Sequence, residues 1–119
     1  MKILNKRKFG IIGEKIAQGY LINEGYNIIA TNFYTRRGEI DIIAQKDKYI
    51  VFIEVKTRSN LNYGTPATAV NYIKKKHIKC AAKIFLTLNN IKNCCIRFDV
   101  VEVFIKDGRC KINHIKQIM

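Results

Sequence analysis

The chain has 119 residues, 48% of them hydrophobic, with one Pro and no low-complexity tract. That composition supports a single domain over residues 1–119 with one ordinary core, and excludes wholesale disorder, a repeat array or a linker-joined pair of domains. The 22 Lys and Arg outweigh 9 Asp and Glu to give a formal net charge of +13, which points to a polyanionic partner, because basic side chains displace counterions from a phosphate backbone; the plainer reading is a lysine-rich composition that keeps the protein soluble.

After the basic start Lys6-Arg7-Lys8, the acid and base at Glu14 and Lys15 interrupt any apolar stretch that a signal peptide would need. No run reaches membrane-spanning length, so the expected location is the cytoplasm, away from membranes. Ile12, Ile16, Ala17, Tyr20 and Leu21 recur at helical spacing from about Phe9 to Glu24, and Gly25 is a helix stop. Glu14 lies at the border of the apolar stripe, on the side of Gly10, Ala17 and Leu21. It is either a solvated flank residue or a third carboxylate reaching a site elsewhere. Gly10-Ile-Ile-Gly13 follows no strand and lacks further glycines, so it does not read as a phosphate loop.

Tyr26 to Phe33 reads as a strand, and Tyr34-Thr-Arg-Arg-Gly38 as a basic turn. Arg36 and Arg37 there either clamp a phosphate or are solvated turn residues. Gln45-Lys46-Asp47-Lys48 breaks two runs rich in Ile, Val and Phe, which makes Glu39 to Lys56 a hairpin. A turn centred on Asp47 and Lys48 sets Asp41 opposite Glu54, with Cβ atoms roughly 5 Å apart. A register shifted by two pairs Glu39 with Glu54 instead and leaves Asp41 on the same face. Lys56 shares the face of Glu54 by strand alternation. Ile50, Val51, Phe52, Ile53 and Val55 make this second strand apolar on both faces, as in the centre of a sheet. Buried like charges repel unless a cation lies between them. Carboxylate oxygens with open water positions suit Mg²⁺ or Mn²⁺, and a nearby Lys steadies transition-state charge, so Asp41, Glu54 and Lys56 form a nuclease-like constellation. The bland alternative is a set of solvated charges on an edge strand.

Thr57 to Gly64 reads as a polar loop in which Tyr63 is a plausible wall for a nucleic-acid groove. Thr65-Pro66 opens a helical region to about Leu88, with Asn71 as a second cap. Its Lys74, Lys75, Lys76, Lys79 and Lys83 form a basic face that contacts phosphate or is simply solvated. Cys94 to Ile105 is a long apolar strand, Asp107-Gly108 a hairpin turn, and Cys110 to about Ile118 the last strand. The order helix, three strands, helix, two strands specifies an α/β domain. Cys80, Cys94, Cys95 and Cys110 lack Cys-x-x-Cys spacing and are expected as small, mostly buried hydrophobes. His77 with Cys80 and Cys110 with His114 are a rival zinc set, but nothing in the sequence brings the pairs together.

The helix bearing Gly13-Glu14, then Gly38-Glu-Ile-Asp41, Phe52-Ile-Glu54-Val-Lys56-Thr-Arg58, Tyr63-Gly64-x-Pro66, Ala69-Val70, Lys74 and Arg97-Phe-Asp-Val-Val101 together resemble the YraN family of small bacterial proteins. That family looks like a member of the restriction-endonuclease-like, PD-(D/E)xK superfamily, similar in layout to archaeal Holliday junction resolvases. The resemblance implies a central mixed five-stranded sheet flanked by helices, in the order α-β-β-β-α-β-β, and a metal-dependent nuclease site. Carried over, Glu14, Asp41 and Glu54 are metal ligands and Lys56 the catalytic lysine. Ile40 stands where the superfamily has its proline before the Asp.

The expected function is therefore a Mg²⁺- or Mn²⁺-dependent endonuclease on DNA, including branched or recombination-type DNA, with Arg36, Arg37, Arg58, Tyr63, Lys74 and Lys75 contacting nucleic acid and a homodimer as one possible assembly. The alternative is a protein that keeps the fold and binds nucleic acid, RNA included, without turnover.

Overall fold

The computed structural model describes residues 6–59 and 72–119, less the side chains of residues 72 and 73. The periodic runs become α1 (Lys6–Asn23), β1 (Asn27–Tyr34), β2 (Glu39–Lys46), β3 (Tyr49–Arg58), α2 (Tyr72–Leu88), β4 (Cys95–Lys106) and β5 (Arg109–Ile115). The expected wall residue Tyr63, the Thr65-Pro66 helix start and Asn71 lie outside the described residues. The strands form one sheet in the order β1-β2-β3-β4-β5. Pairing is antiparallel except between β3 and β4, where α2 carries the chain back to a parallel neighbour. This is the mixed five-stranded sheet that the sequence implies.

Burial follows from a helix on each face. In β3, Ile50, Val51, Phe52 and Ile53 are all buried. Val51 and Ile53 pack with Ala17 and Leu21 of α1, whereas Ile50 and Phe52 pack with Ile78, Ala81, Ala82 and Phe85 of α2. Phe52 stacks on Phe98 at 5.4 Å between ring centroids, and Phe33 meets Phe85 edge-on at 5.2 Å. On α1 the inward stripe is Gly13, Ala17 and Leu21; Ile12, expected inside, is 39% exposed.

The β2–β3 hairpin adopts the register centred on Asp47 and Lys48, pairing Lys46 with Tyr49 and Ile42 with Ile53. Asp47 takes a left-handed φ of 53°, which Asp tolerates. Asp107 and Gly108 both have positive φ in the β4–β5 turn, the conformation an Asp-Gly hairpin turn requires. Strand β3 runs further than expected, because Thr57 and Arg58 pair with Val103 and Phe104 rather than starting a loop. Strand β5 stops earlier. Gln117 turns with φ 54°, its N–H goes to Asp99, and the Ile118 N–H bonds the Phe98 carbonyl. The cysteines also differ from expectation. Cys95 and Cys110 are exposed at a strand start and on the edge strand, and Cys80 and Cys94 are half-buried.

Strand alternation fails at two places: in β1 the register to β2 shifts between Ile28, which packs in the α1 layer, and Ala30, which packs in the α2 layer, and a second break involves both strands. Ile40 and Ile43 both pack in the α2 layer although three residues apart, while Ile42 packs in the α1 layer. On the paired strand, Ala30 and Phe33 likewise both face α2, with Asn32 at φ 51° between them. Asn32 and Asp41 thus fall opposite each other, between the pairs Thr31–Ile42 and Phe33–Ile40, where both strands skip a step of alternation.

Two glycines let the helices close on that end. A Cβ on Gly13 would lie 1.9 Å from Thr57 Oγ1 and 2.8 Å from Thr57 Cβ. One on Gly38 would lie 2.9 Å from the His77 carbonyl oxygen. By contrast, a Cβ on Gly19 meets nothing within 4 Å. Opposite signs are expected in urea unfolding: Gly19→Ala gains up to ~1 kcal/mol of helix propensity. Gly13→Ala loses about 1–3 kcal/mol to overpacking, partly restored by Thr57→Ala.

Candidate functional site

The β2–β3 ladder ends at Ile42 and Ile53. Continued, the register would set Ile40 against Val55 and Asp41 against Glu54. Instead the Val55 N–H donates to Asp41 Oδ2 at 2.8 Å. A side-chain carboxylate thus takes the place of a strand carbonyl, and the two strands part around it. Burial is the main force on Asp41 and pushes its pKa up to about 7, against the Val55 N–H, which favours the charged form. The charges of Glu14, Glu54 and Glu39 add to the rise. Asp41 is therefore the carboxylate on which the like charges of Glu14, Glu54 and Glu39 all act.

The others reach it from different elements. Glu14, half-buried on α1 beside the small Gly13, is raised in pKa by burial and by Glu39, and the Asn32 side chain at the β1 irregularity donates to it and opposes the rise. Glu54 continues the face of Phe52 toward α2, where its Oε1 pairs with the Lys74 ammonium. Among the described residues its Oε2 is buried with no hydrogen-bond partner. Gly38, Glu39, Asp41, Glu54, Lys74, His77 and Ile78 line an open cleft of about 520 Å³. Glu14 stands half-buried on α1, and Glu39 lines the cleft from the turn side.

Hard divalent cations take carboxylate oxygens, and the donor set here is of that kind, with Glu54 Oε2 lacking a hydrogen-bond partner among the described residues. The residues fit such an ion in chemistry and charge. As the side chains stand, no three His, Cys, Asp or Glu among the described residues gather closely enough to share one ion; Asp41 is turned to Val55 and Glu54 to Lys74.

Lys56 is half-buried on β3, two residues beyond Glu54 and beside Glu102 in the parallel register; neither Lys56 nor Glu14 is among the described residues lining the cleft. Arg58 is tied down rather than presented: its Nε donates to Glu102 Oε2 at 3.0 Å, and its side chain is 17% exposed. Asn113 holds the other oxygen of Glu102. Arg36 and Arg37 are exposed in a turn organised by Thr35, whose hydroxyl donates to the Gly38 carbonyl and accepts from the Arg37 and Gly38 N–H groups. Lys75 is half-buried on α2. The rival zinc set does not form: His114 is engaged elsewhere.

That engagement is what sequence reasoning missed. Asp99, 1% exposed, accepts from Arg97 Nε and Nη2, from His114 Nε2 at 2.7 Å and from the Gln117 N–H. Arg97 also donates to the Tyr26 hydroxyl, and Tyr20 meets His114 Nδ1 at 2.9 Å. Burial alone would raise Asp99; the bonds from His114, Arg97 and Gln117 outweigh it and hold the carboxylate below its ordinary range. Only the adjacency of Arg97 and Asp99 hinted at this group, since His114 and Tyr20 come from the far ends of the chain.

The raised Asp41 pKa has a stability consequence. Between the ordinary carboxylate value and about 7, the native state holds a proton that the unfolded chain has released. Stability is thus lost as pH rises through that window, with a slope of up to ~1.4 kcal/mol per pH unit. Urea unfolding of wild type and Asp41→Asn from pH 4 to 8 is expected to show the variant's advantage growing with pH and levelling off above 7.

Residues 13–103 match the family described as "Uncharacterised protein family UPF0102", a span that includes the acidic cluster, α2 and most of β4. A UPF0102 protein of Caldicellulosiruptor bescii is 48% identical over 116 residues, covering 95% of this chain and 98% of its own. One from Caldanaerobacter subterraneus is 42% identical, covering 97% of each chain, and one from Acetivibrio thermocellus is 50% identical, covering 86% of this chain and 79% of its own. The chain belongs to the UPF0102 family, which is the YraN family that its motifs resemble.

Proposed function

We propose that the protein is a divalent-metal-dependent endonuclease that hydrolyses phosphodiester bonds in DNA, with branched or recombination-type DNA as its substrate class. The observation that carries this reading is the setting of Asp41: a carboxylate where the β2–β3 ladder ends, opening on a cleft, under the charge of Glu14, Glu39 and Glu54. Such a concentration of acid in a chain of net charge +13 is unfavourable unless a cation joins it, and the remaining surface charge suits a phosphate backbone.

Asp41, Glu54 and Glu14 would hold Mg²⁺ or Mn²⁺, which supplies Lewis-acid polarisation of a phosphoryl oxygen and lowers the pKa of a bound water. Lys56, on the strand face of Glu54, keeps positive charge beside the attacked phosphate as negative charge builds on it. The exposed Arg36 and Arg37, with Lys74 and Lys75 at the start of α2, hold the backbone on either side of the cleft. Cutting two strands of a junction calls for two such sites, which a homodimer provides.

One observation favours a second reading. The Lys74–Glu54 ion pair satisfies half of Glu54 without metal, as in a protein that keeps the fold and binds nucleic acid, RNA included, without cutting it. Incubation with junction, flap, single-stranded and RNA substrates in Mg²⁺ or Mn²⁺ separates the two. Cleavage is expected with DNA, slowed at least ~100-fold, or about 2.7 kcal/mol of barrier, in Asp41→Ala and Glu54→Ala. Salt-dependent binding without cleavage, unchanged by Glu54→Ala and by chelator, would establish the second reading instead.

A further inference from the structure

The acid cluster already contains one cation, and it comes from the protein. Lys74 lies in the first turn of α2, held over the cleft by the close approach of Gly38 to His77. Its ammonium pairs with Glu54 Oε1, while the side chain remains 47% exposed. Glu54 is nearly enclosed, and among the described residues its second oxygen has no hydrogen-bond partner. The Glu54 that the ammonium pairs with belongs to a group in which Glu14 and Glu39 also press like charge on Asp41. The compensation is incomplete in charge and in hydrogen bonds. Lysine is suited to leaving: a flexible four-carbon stem ends in a strongly hydrated point charge, and solvent is already within reach.

Resting on the nuclease reading above, we propose that Lys74 is an exchangeable counter-ion, which occupies the cation position at Glu54 in the metal-free protein and is drawn off by substrate phosphate. A divalent ion competes with the ammonium for Glu54, and a DNA phosphate competes with Glu54 for the ammonium. Each ligand thus favours the state in which the ion pair is open. The two binding events are coupled, and the coupling acts equally in both directions. The consequence is economy of activation: the acid site admits its metal fully when a phosphate backbone lies across α2. The parted strands around Asp41 and the unpartnered Glu54 Oε2 then become available to the ion together. The same exchange accounts for the lack of a three-residue metal cluster among the described residues.

Calorimetric titration of Mn²⁺ into wild type, Lys74→Met, Lys74→Arg and Glu54→Gln, each with and without a phosphorothioate DNA duplex, tests this. Thermal unfolding first verifies that each variant is folded. Without DNA, Lys74→Met is expected to bind Mn²⁺ ~10-fold more tightly than wild type. DNA is expected to tighten wild-type Mn²⁺ binding, and its effect in Lys74→Met shrinks by the same factor. Lys74→Arg keeps the charge and the wild-type pattern; Glu54→Gln loses most Mn²⁺ affinity in both conditions. Equal DNA-free affinity in wild type and Lys74→Met overturns the exchange while leaving the nuclease reading standing. If neither binds Mn²⁺, with or without DNA, both readings fall.

Discussion

A backbone N–H that donates to a side chain instead of a neighbouring strand governs the architecture of this end of the molecule. The Val55 N–H is bound by Asp41, and the β2–β3 ladder stops at Ile42 and Ile53. Had the ladder continued, the carboxylates of Asp41 and Glu54 would have stood directly across from each other on a closed sheet. Parting the strands instead opens the space that the helices then border. The hydrogen bond meets the backbone requirement of a half-buried strand and aims the carboxylate. A single interaction thus serves as both a structural bond and a positioning device.

The helices reach this gap because two side chains are missing. Gly13 lets α1 lie against Thr57, and Gly38 lets the β1–β2 turn touch the α2 backbone at His77. Each precedes an acidic residue, Glu14 and Glu39, that acts on the charge at Asp41. The Gly-Glu pairs are therefore one device used twice: the glycine sets the distance, and the next residue delivers the charge. A Cβ at either glycine would move a helix or a turn by a fraction of an ångström, enough to alter electrostatics that depend on short range.

The fold was largely legible in the sequence because its strands are long and apolar and its turns carry Asp and Gly where left-handed backbone is needed. The hairpin register followed from Asp47 and Lys48 alone. Local irregularity was hidden. Period two predicted Asp41 on the face of Glu54, but the alternation breaks between Ile40 and Ile43, matched by Asn32 on β1, and no single residue announces a paired irregularity. The site was legible through its residue types, yet its partners were not. Lys74 reads as one lysine in a basic run, and only the placement of α2 against β3 selects it for Glu54. Arg58 reads as a loop cation, and only the parallel pairing of β3 with β4 brings it to Glu102.

The sheet carries two aspartates in opposite electrostatic states, Asp99 buried and Asp41 half-buried. Asp99 lies under α1 with donors from Arg97, His114 and Gln117, and is held below its ordinary pKa. Its charge is fully answered, so it ties β4 to β5 and to Tyr26 through Arg97, and offers no oxygen to a ligand. Asp41 receives the Val55 N–H and faces three like charges, and its pKa is driven up to about 7. A fold gains nothing in stability from such a group at neutral pH. The acid that lowers stability stands at a cleft, and the acid that raises it stands in the core. An unanswered charge opening on a cleft is the arrangement that the proposed cation site requires, since binding of a cation, rather than folding, would then supply the missing free energy.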